Sequence, residues 1–178
     1  MATIYLVRHG EATAHWTEAF DAELSVLGNQ QATDVARALA PRGPAAIFSS
    51  PLRRARATAA PLETLWQTAA LVQAAVTEIP TQGVELAERS AWLMRLAEGG
   101  WQQADRASQE WRRGLLHFVS TLEVNAVIFT HFVAINAVVG AAMARDDVYL
   151  FRPANASVTV IENDGDRLRL IERGMEVR

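Results

Sequence analysis

Short apolar runs alternate along the chain with longer segments in which apolar residues recur at helical spacing. The short runs are rich in β-branched and aromatic side chains, a composition that predicts buried strands. These runs lie at residues 3–7, 45–48, 126–130, 148–151, 157–161 and 168–172, with a further one inside 71–79. The sequence N-D-G-D at 163–166, between the last two runs, predicts a hairpin turn.

Segments of helical periodicity follow several of these runs. Residues 26–40 begin after Ser25, a residue type favoured at helix N-termini, and end at a proline. Further helices are predicted over about 52–70, with Pro61 as a candidate kink, and from 132 to about 144. Strands that alternate with helices predict an α/β protein of three α/β/α layers, with a mostly parallel sheet flanked by helices.

The middle of the chain has a different pattern, because no strand is predicted over roughly forty residues. Helices are predicted near 84–97 and over about 103–122, with Gly99-Gly100 between them. We interpret about 80–113 as a small helical cap, inserted into a single domain that spans 1–178.

The composition is that of an ordinary globular protein, with 50% hydrophobic and 21% charged residues in 178. A net charge of −3 and a pI near 5.8 give no general attraction to nucleic acid or to an anionic membrane. No apolar run reaches the ~20 residues that a membrane span needs. The first residues lack the pattern of a signal peptide, so the predicted location is the cytoplasm.

Two residue types are missing, and their absence excludes several kinds of chemistry. Without cysteine there is no thiolate nucleophile and no cysteine-bound metal. All 17 basic residues are arginine, which excludes a P-loop lysine and a Schiff-base lysine. No cluster of metal-ligand residues stands out in the sequence, so neither a metal nor a cofactor is predicted.

Reactive polar residues follow the predicted strands. In a parallel α/β sheet, ligands bind beyond the carboxyl ends of the strands, where such residues meet. The residues in question are Arg8-His9-Gly10, Ser49-Ser50-Pro51 with Arg53-Arg54 just beyond, Thr130-His131, and Glu78 near the end of the third strand.

This set suits phosphoryl transfer. Arg8 and Arg54 can each hold two phosphoryl oxygens through their planar guanidinium groups. A neutral His9 is a competent nucleophile that needs neither metal nor thiol. His131 can donate to the phosphoryl oxygens, and Glu78 can protonate the leaving oxygen and later activate water.

Four motifs, in order along the chain, resemble those of the histidine phosphatase superfamily, the fold class of cofactor-dependent phosphoglycerate mutases and their phosphatase relatives. They are L-V-R-H-G-E at 6–11, L-S-V-L-G-N-Q-Q-A at 24–32, S-S-P-L-R-R-A-R-A-T-A at 49–59 and A-V-I-F-T-H at 126–131. The resemblance implies a phosphoglycerate mutase-like fold, His9 as nucleophile, and a glutamate as acid and base. It also implies Arg8, Arg54 and His131 as phosphate ligands, with Arg53 at a variable position.

The sequence departs from the family pattern at two places. The residue after the second histidine is Phe132 where the family often has glycine, which predicts a narrower pocket. The acid is assigned to Glu78, with Glu85 and Glu88 as alternatives, because the surroundings of Glu78 differ from the usual ones. Asn155 is a candidate supporting residue.

The leading functional prediction is a metal-independent phosphatase that hydrolyses a small phosphorylated metabolite through a phosphohistidine. A phosphoglycerate mutase-type phosphotransferase is the alternative, and a non-catalytic phospho-ligand binding module is a third. One hypothesis is that the cap sets the preference for the leaving group through side chains such as Trp92, Met94 and Trp101. The alternative is that these side chains pack the cap onto the domain or form a dimer interface. Homodimerisation is left open.

Overall fold

The computed structural model describes residues 1–81 and 83–177, and within them a six-stranded sheet with five α-helices. The strands are β1 (Ala2–Arg8), β2 (Ala46–Ser49), β3 (Leu71–Val72), β4 (Ala126–Thr130), β5 (Val158–Asn163) and β6 (Leu168–Glu172). The helices are α1 (Val26–Leu39), α2 (Arg53–Trp66), α3 (Arg89–Gly99), α4 (Arg106–Ser120) and α5 (Phe132–Ala142). The strand order is β3-β2-β4-β1-β5-β6. The first four strands in this order run parallel. β5 pairs antiparallel with both β1 and β6, so it alone runs against the other five strands, which confirms the mostly parallel α/β sheet.

The central strands are buried on both faces, as their uninterrupted apolar sequences predict. Val7 and Phe129 point to one face, where they pack in a cluster with α1 and α2. Leu6 and Ile128, their chain neighbours, point to the other face and pack with α4 and α5. Because alternate side chains of a strand point to opposite faces, one apolar run supplies the core of both layers.

The third strand is much shorter than its apolar sequence suggested. It ends at Val72, and a 3₁₀ helix at Ala74–Val76 then turns the chain into the core. Val76 is fully buried there, and its carbonyl accepts a hydrogen bond from Thr130 Oγ1 at 2.6 Å. Glu78 therefore lies in a loop beyond this turn, and the prediction that it sits near a strand end is wrong.

The strand predicted at 148–151 is also wrong, for a visible physical reason. The backbone of this segment pairs with a side chain instead of a neighbouring strand. Asn136 Oδ1 accepts from the N–H groups of Leu150 and Phe151 at 2.8 and 3.1 Å, and its Nδ2 donates to the Phe151 carbonyl at 3.2 Å. One fully buried amide thus satisfies backbone groups that a strand would have paired.

Several predicted helix ends shift by a few residues. The second helix ends at Trp66 rather than near 70, because Gln67 adopts a left-handed conformation with φ 51°. The third begins at Arg89 rather than near 84. The fourth begins after Asp105, whose carboxylate accepts from Ser108 N–H at 2.9 Å and caps the helix.

Helices α3 and α4 differ in how they relate to the three layers. Leu115 and Val119 of α4 are buried in the main core, so this helix is part of a layer. From α3, Leu96 packs into the same core, Leu93 packs against it and also lines a cleft, and Met94 lines the cleft. The cap limits of about 80–113 and the single domain of 1–178 stay predictions.

The junction at Gly99-Gly100 is pinned to the segment that follows α5. Trp101 N–H donates to the Asp146 carbonyl at 3.0 Å, and Gln102 N–H donates to the Asp146 carboxylate at 3.1 Å. A side chain at Gly100, whose φ is 71°, would approach that carboxylate to 2.9 Å.

Within the described residues, no helix is both long enough and apolar enough to cross a membrane.

Candidate active site

Three neighbouring strands end at the same edge of the sheet. The residues that follow them, His9 after β1, Ser50 after β2 and His131 after β4, are therefore brought together. Two hydrogen bonds continue the strand pairing beyond the strands. His9 N–H donates to the Thr130 carbonyl and Ser50 N–H to the Phe129 carbonyl, both at 3.0 Å. The predicted convergence of polar residues at one sheet edge follows directly from this register.

A cleft of about 640 Å³ opens above this edge. Arg8, His9, Arg54 and Glu78 line it, and His131 is fully buried with its ring centroid 5.2 Å from that of His9. We call these five residues the polar floor. The structure thus assembles all five predicted site residues in one place.

His9 is held in one tautomer and one orientation. Its Nδ1 lies 2.7 Å from the Gly10 carbonyl, which can only accept, so Nδ1 carries the proton. Nε2 is left with its lone pair and accepts from Arg54 Nε at 3.1 Å. Burial, reinforced by the neighbouring Arg54, lowers the pKa of His9 to about 3, so the ring is neutral near pH 7.

The two floor arginines line the cleft from different elements, Arg8 from β1 and Arg54 from α2. Arg8 donates from Nη1 to the Pro153 carbonyl at 2.7 Å, while its buried Nε has no partner among the described residues. Arg54 is 6% exposed, and its Nη1 donates to the Phe20 carbonyl at 3.3 Å. Burial is the first cause that lowers the pKa of both groups.

Arg53, next to Arg54 in sequence, has a different environment. Its side chain is exposed and forms an ion pair with Glu23 outside the cleft. Its backbone N–H donates to the Asp21 carboxylate at 2.8 Å. Arg54, to which the motif assigned the site role, lines the cleft, whereas Arg53 does not.

Glu78 is held by the first turn of α5. Its carboxylate accepts from Val133 N–H and from Ile79 N–H, each at 3.1 Å. Burial raises its pKa above the ordinary glutamate value, although these hydrogen bonds and the two arginines oppose the shift. A buried carboxyl of raised pKa suits a proton donor. Glu85 and Glu88, the alternatives, are exposed and do not line the cleft.

His131 precedes α5 and is enclosed on all sides. Its Nε2 lies 2.7 Å from Ser50 Oγ, and its Nδ1 has no partner within the described residues. Burial, followed by His9 and the two arginines, lowers the pKa of His131 well below the ordinary histidine value. The ring is therefore neutral near pH 7 and can donate from one nitrogen only.

The family described as "Histidine phosphatase superfamily (branch 1)" matches residues 4–175. The chain belongs to the histidine phosphatase superfamily. Among curated proteins, none matches it.

Solved structures share the superfamily fold over nearly the whole chain. A mycobacterial glucosyl-3-phosphoglycerate phosphatase in complex with VO3 gives a TM-score of 0.74 at 24% identity, covering 99% of this chain and 100% of that one. A mutant phosphoserine phosphatase from Entamoeba histolytica, in complex with phosphoserine, gives 0.76 at 20% identity, covering 97% and 96%. A protein described as mycobacterial hydrolase 1 gives 0.73 at 24%, covering 99% of both chains. At these identities the likeness establishes the fold.

The second superfamily motif holds the loop that carries His9. A side chain at Gly28 would overlap the Glu11 carbonyl oxygen, so only glycine lets α1 approach this loop so closely. Gln31 Oε1 accepts from Glu11 N–H at 2.8 Å, and Ser25 Oγ donates to the Glu11 carboxylate at 2.7 Å. The motif therefore serves the site without supplying a floor residue.

Asn155, the candidate supporting residue, contacts the loop that carries His9. Asn155 Nδ2 donates to the His9 carbonyl at 3.0 Å, and Ala156 N–H donates to the Arg8 carbonyl at 3.0 Å. Together they fix the backbone on the side of β1 opposite β4.

The cleft has a second, largely apolar side. We call it the apolar wall; its residues are Trp16, Ala19, Leu93, Met94 and Tyr149. Phe132 lies between wall and floor, with its ring centroid 5.3 Å from the Arg8 guanidinium and 5.3 Å from the Tyr149 ring. This position supports the expectation that Phe132 narrows the pocket.

Two tryptophans expected near the leaving group lie elsewhere. Trp101 is 2% exposed and belongs to the main core, and Trp92 packs against the same core. Their assignment to the cleft is wrong. Sequence reasoning also missed two cleft residues, Tyr149 and Arg152, which come from the segment it had assigned to a strand and its end.

Proposed function

We propose that the protein is a phosphomonoester hydrolase that passes the phosphoryl group through a covalent intermediate on His9 Nε2. The observation that carries the proposal is the state of His9. Its Nδ1 proton is committed to the Gly10 carbonyl and its ring is neutral. Its Nε2 carries the lone pair, which accepts from Arg54 Nε at 3.1 Å, and the residue lines an open cleft.

The first step transfers the phosphoryl group to the protein. His9 Nε2 attacks phosphorus and forms the N–P bond as the bond to the ester oxygen breaks. Arg8, Arg54 and His131 balance the charge on the phosphoryl oxygens, and the protonated carboxyl of Glu78 gives its proton to the leaving oxygen.

The second step returns the enzyme to its starting state. The Glu78 carboxylate takes a proton from water as the water oxygen attacks phosphorus. The N–P bond breaks, His9 recovers its lone pair, and inorganic phosphate leaves. The raised pKa of Glu78 suits both steps, because the group must be able to give and to take a proton near neutral pH.

The walls of the cleft favour hydrolysis over a mutase reaction. A phosphoglycerate mutase must hold a substrate that carries both a phosphate and a carboxylate. Apart from the two floor arginines, Arg152 is the one arginine among the described cleft residues, and five neighbouring wall positions are apolar or aromatic. A purely binding role is disfavoured because a binding site has no need of a nucleophile.

The wall suggests the class of substrate. Trp16, Leu93 and Met94 offer apolar surface to a leaving group of modest size. Arg152, exposed at the mouth, is available to an anionic substituent such as the carboxylate of phosphoserine, the ligand of the Entamoeba histolytica relative. We therefore propose a small phosphorylated metabolite whose organic part is moderately apolar.

The test is hydrolysis of an aryl phosphate in the presence of a chelator, with the phosphohistidine trapped from a ³²P-labelled substrate by rapid quenching into base, where that bond survives. We expect turnover without added metal, and loss of both turnover and label in His9→Ala. Arg53→Ala is the matched control and should remain active, since Arg53 lies outside the cleft. An absolute requirement for a divalent ion, or an active His9→Ala, would contradict the mechanism. Isomerisation of a phosphoglycerate faster than its hydrolysis would favour the mutase.

A further inference from the structure

The buried hydroxyl of Ser50 touches the second site histidine and has no part in the mechanism above. Ser50 and His131 are both 0% exposed, and Ser50 Oγ lies 2.7 Å from His131 Nε2. Either atom can be the donor in this bond, so the geometry alone allows two arrangements of protons.

The other hydrogen bonds of Ser50 decide between them. Ser50 Oγ already accepts from Leu52 N–H at 3.2 Å. If it also accepted a proton from His131, its own hydrogen would be buried without an acceptor in the described part of the chain. An unsatisfied buried donor is costly, whereas donation to His131 Nε2 satisfies the hydroxyl fully.

The neutral ring then holds its single proton on Nδ1. That nitrogen is buried and has no partner among residues 1–81 and 83–177, although the ring lies beside His9 and close to the two floor arginines. The Nδ1–H group is thus a donor without an acceptor, next to the point where phosphate is proposed to bind. A bound phosphoryl oxygen would supply that acceptor.

We propose that Ser50 is a positioning residue that fixes the tautomer of His131, so that Nδ1–H donates to the bound phosphoryl group. In the opposite tautomer, a lone pair on Nδ1 would face the anionic oxygens and repel them. The role of the Nδ1 donor rests on the proposed phosphatase function, whereas the tautomer itself does not.

A simpler reading is that Ser50 only shapes the start of α2 through its bond to Leu52. A structural role of this kind makes no prediction about the proton on His131. It would also act on stability and activity whether or not the histidine is present. These two differences define the experiments.

The first experiment reads the tautomer directly in the wild-type protein, by NMR of ¹⁵N-labelled histidine. His131 is identified as the signal lost in His131→Gln. We expect protonated Nδ1 and unprotonated Nε2 without ligand, and a shift of the Nδ1 signal on titration with inorganic phosphate. A proton on Nε2 overturns the proposal. Because no turnover is measured, that result is distinct from failure of the phosphatase assignment.

The second experiment is a double-mutant cycle on kcat for an aryl phosphate. We expect Ser50→Ala to lower kcat about 10- to 100-fold, less than loss of an entire oxyanion donor, with a smaller change in KM. In the His131→Gln background the same substitution should change kcat less than about twofold, because its target is gone. Ser49→Ala is the control, because Ser49 is equally buried and its hydroxyl donates to the Ser50 carbonyl rather than to His131. Equal losses in both backgrounds would make Ser50 structural.

Discussion

The polar floor and the apolar wall of the cleft are built in different ways. Arg8, His9 and His131 lie at strand ends, Arg54 lies in the first turn of α2, and Glu78 lies in a loop. Backbone groups fix several of them, as the Gly10 carbonyl fixes His9 and Val133 N–H fixes Glu78. The wall is assembled from the loop after β1, from α3 and from the segment after α5. Most of its members contribute side-chain surface and no directed polar group.

The loop after β1 links the two sides of the cleft. Arg54 donates to the Phe20 carbonyl from below, and Arg89 of α3 donates to the Trp16 carbonyl at 2.8 Å from the other side. Two buried arginines thus hold the loop after β1 by its backbone. The fold therefore specifies the position of the floor, where phosphate is proposed to bind, whereas the organic part of the proposed substrate would meet side chains that can be exchanged. Substitutions on the two sides should therefore fail differently.

Loss of the floor acid should give the largest graded effect. We expect Glu78→Gln to lower kcat about 10²- to 10⁴-fold on an alkyl phosphate, and much less on an aryl phosphate whose leaving oxygen needs no proton. In the wild type, kcat on alkyl phosphates should fall as the pH rises through the raised pKa of Glu78, because the carboxyl must be protonated to act. This limb should be absent in the variant.

Wild-type rates of Glu78→Gln on alkyl phosphates would place the acid elsewhere. The exposed Glu88 is the matched control, because Glu88→Gln leaves every floor contact intact and should match the parent. Measurement of kcat against the pKa of the leaving group, for both variants, separates the outcomes.

Much of the floor could be predicted from the sequence, because its residues stand next to apolar runs that are unambiguous strands. His9 and His131 each follow such a run directly. Glu78 was found by residue type and approximate spacing even though its strand was placed wrongly. The early end of β3 was not predictable from the local pattern. Val76 is apolar because it is buried in the core, where it lies outside any strand.

The wall was predicted poorly, for a related physical reason. Periodicity shows that a helix has an apolar face but not which neighbour that face meets. Trp101 is apolar like Met94, yet the first fills the core and the second is 65% exposed beside the cleft. The path of Tyr149 and Arg152 depends on the Asn136 amide, a contact between distant residues that no local signal reveals.

The close approach of α1 to the loop that carries His9 should be sensitive to a single added methyl group. Gly28→Ala would push the Glu11 carbonyl and the His9 loop, and we expect a loss of about 1–3 kcal/mol in the free energy of unfolding, with reduced kcat. Gly114→Ala, at an exposed position of α4, is the matched control. Nothing lies within 4 Å of its added methyl, so stability should rise by roughly 0.5–1 kcal/mol. Equal effects in urea unfolding would contradict the packing argument.

Protonation of His9 in the unfolded state should make the free energy of unfolding depend on pH. The pKa of His9 is about 3 in the folded protein, below the ordinary value of 6.5. As the pH falls below about 6.5, the unfolded state gains a proton that the folded state refuses, so stability is lost until about pH 3. Between pH 8 and pH 5 we expect His9→Gln to lose about 2 kcal/mol less than the wild type. Parallel urea-unfolding curves for the two proteins over this range would mean that His9 is not desolvated.

The smallest effects are expected at the apolar wall, and they should depend on the substrate. Met94→Ala removes exposed surface beside the cleft. We expect the ratio of kcat/KM for an apolar aryl phosphate to that for a sugar phosphate to change about two- to fivefold. The effect is small because the loss of one or two methylene contacts costs little free energy. Its thermal stability should be nearly unchanged. Trp101→Ala is the opposite control: it empties a core position, should cost about 3–5 kcal/mol of stability, and should leave the substrate ratio as it was. An unchanged ratio in Met94→Ala, and likewise in Leu93→Ala, would show that α3 does not select the leaving group. Selection would then rest with the other residues that line the cleft, such as Trp16, Tyr149 and Arg152.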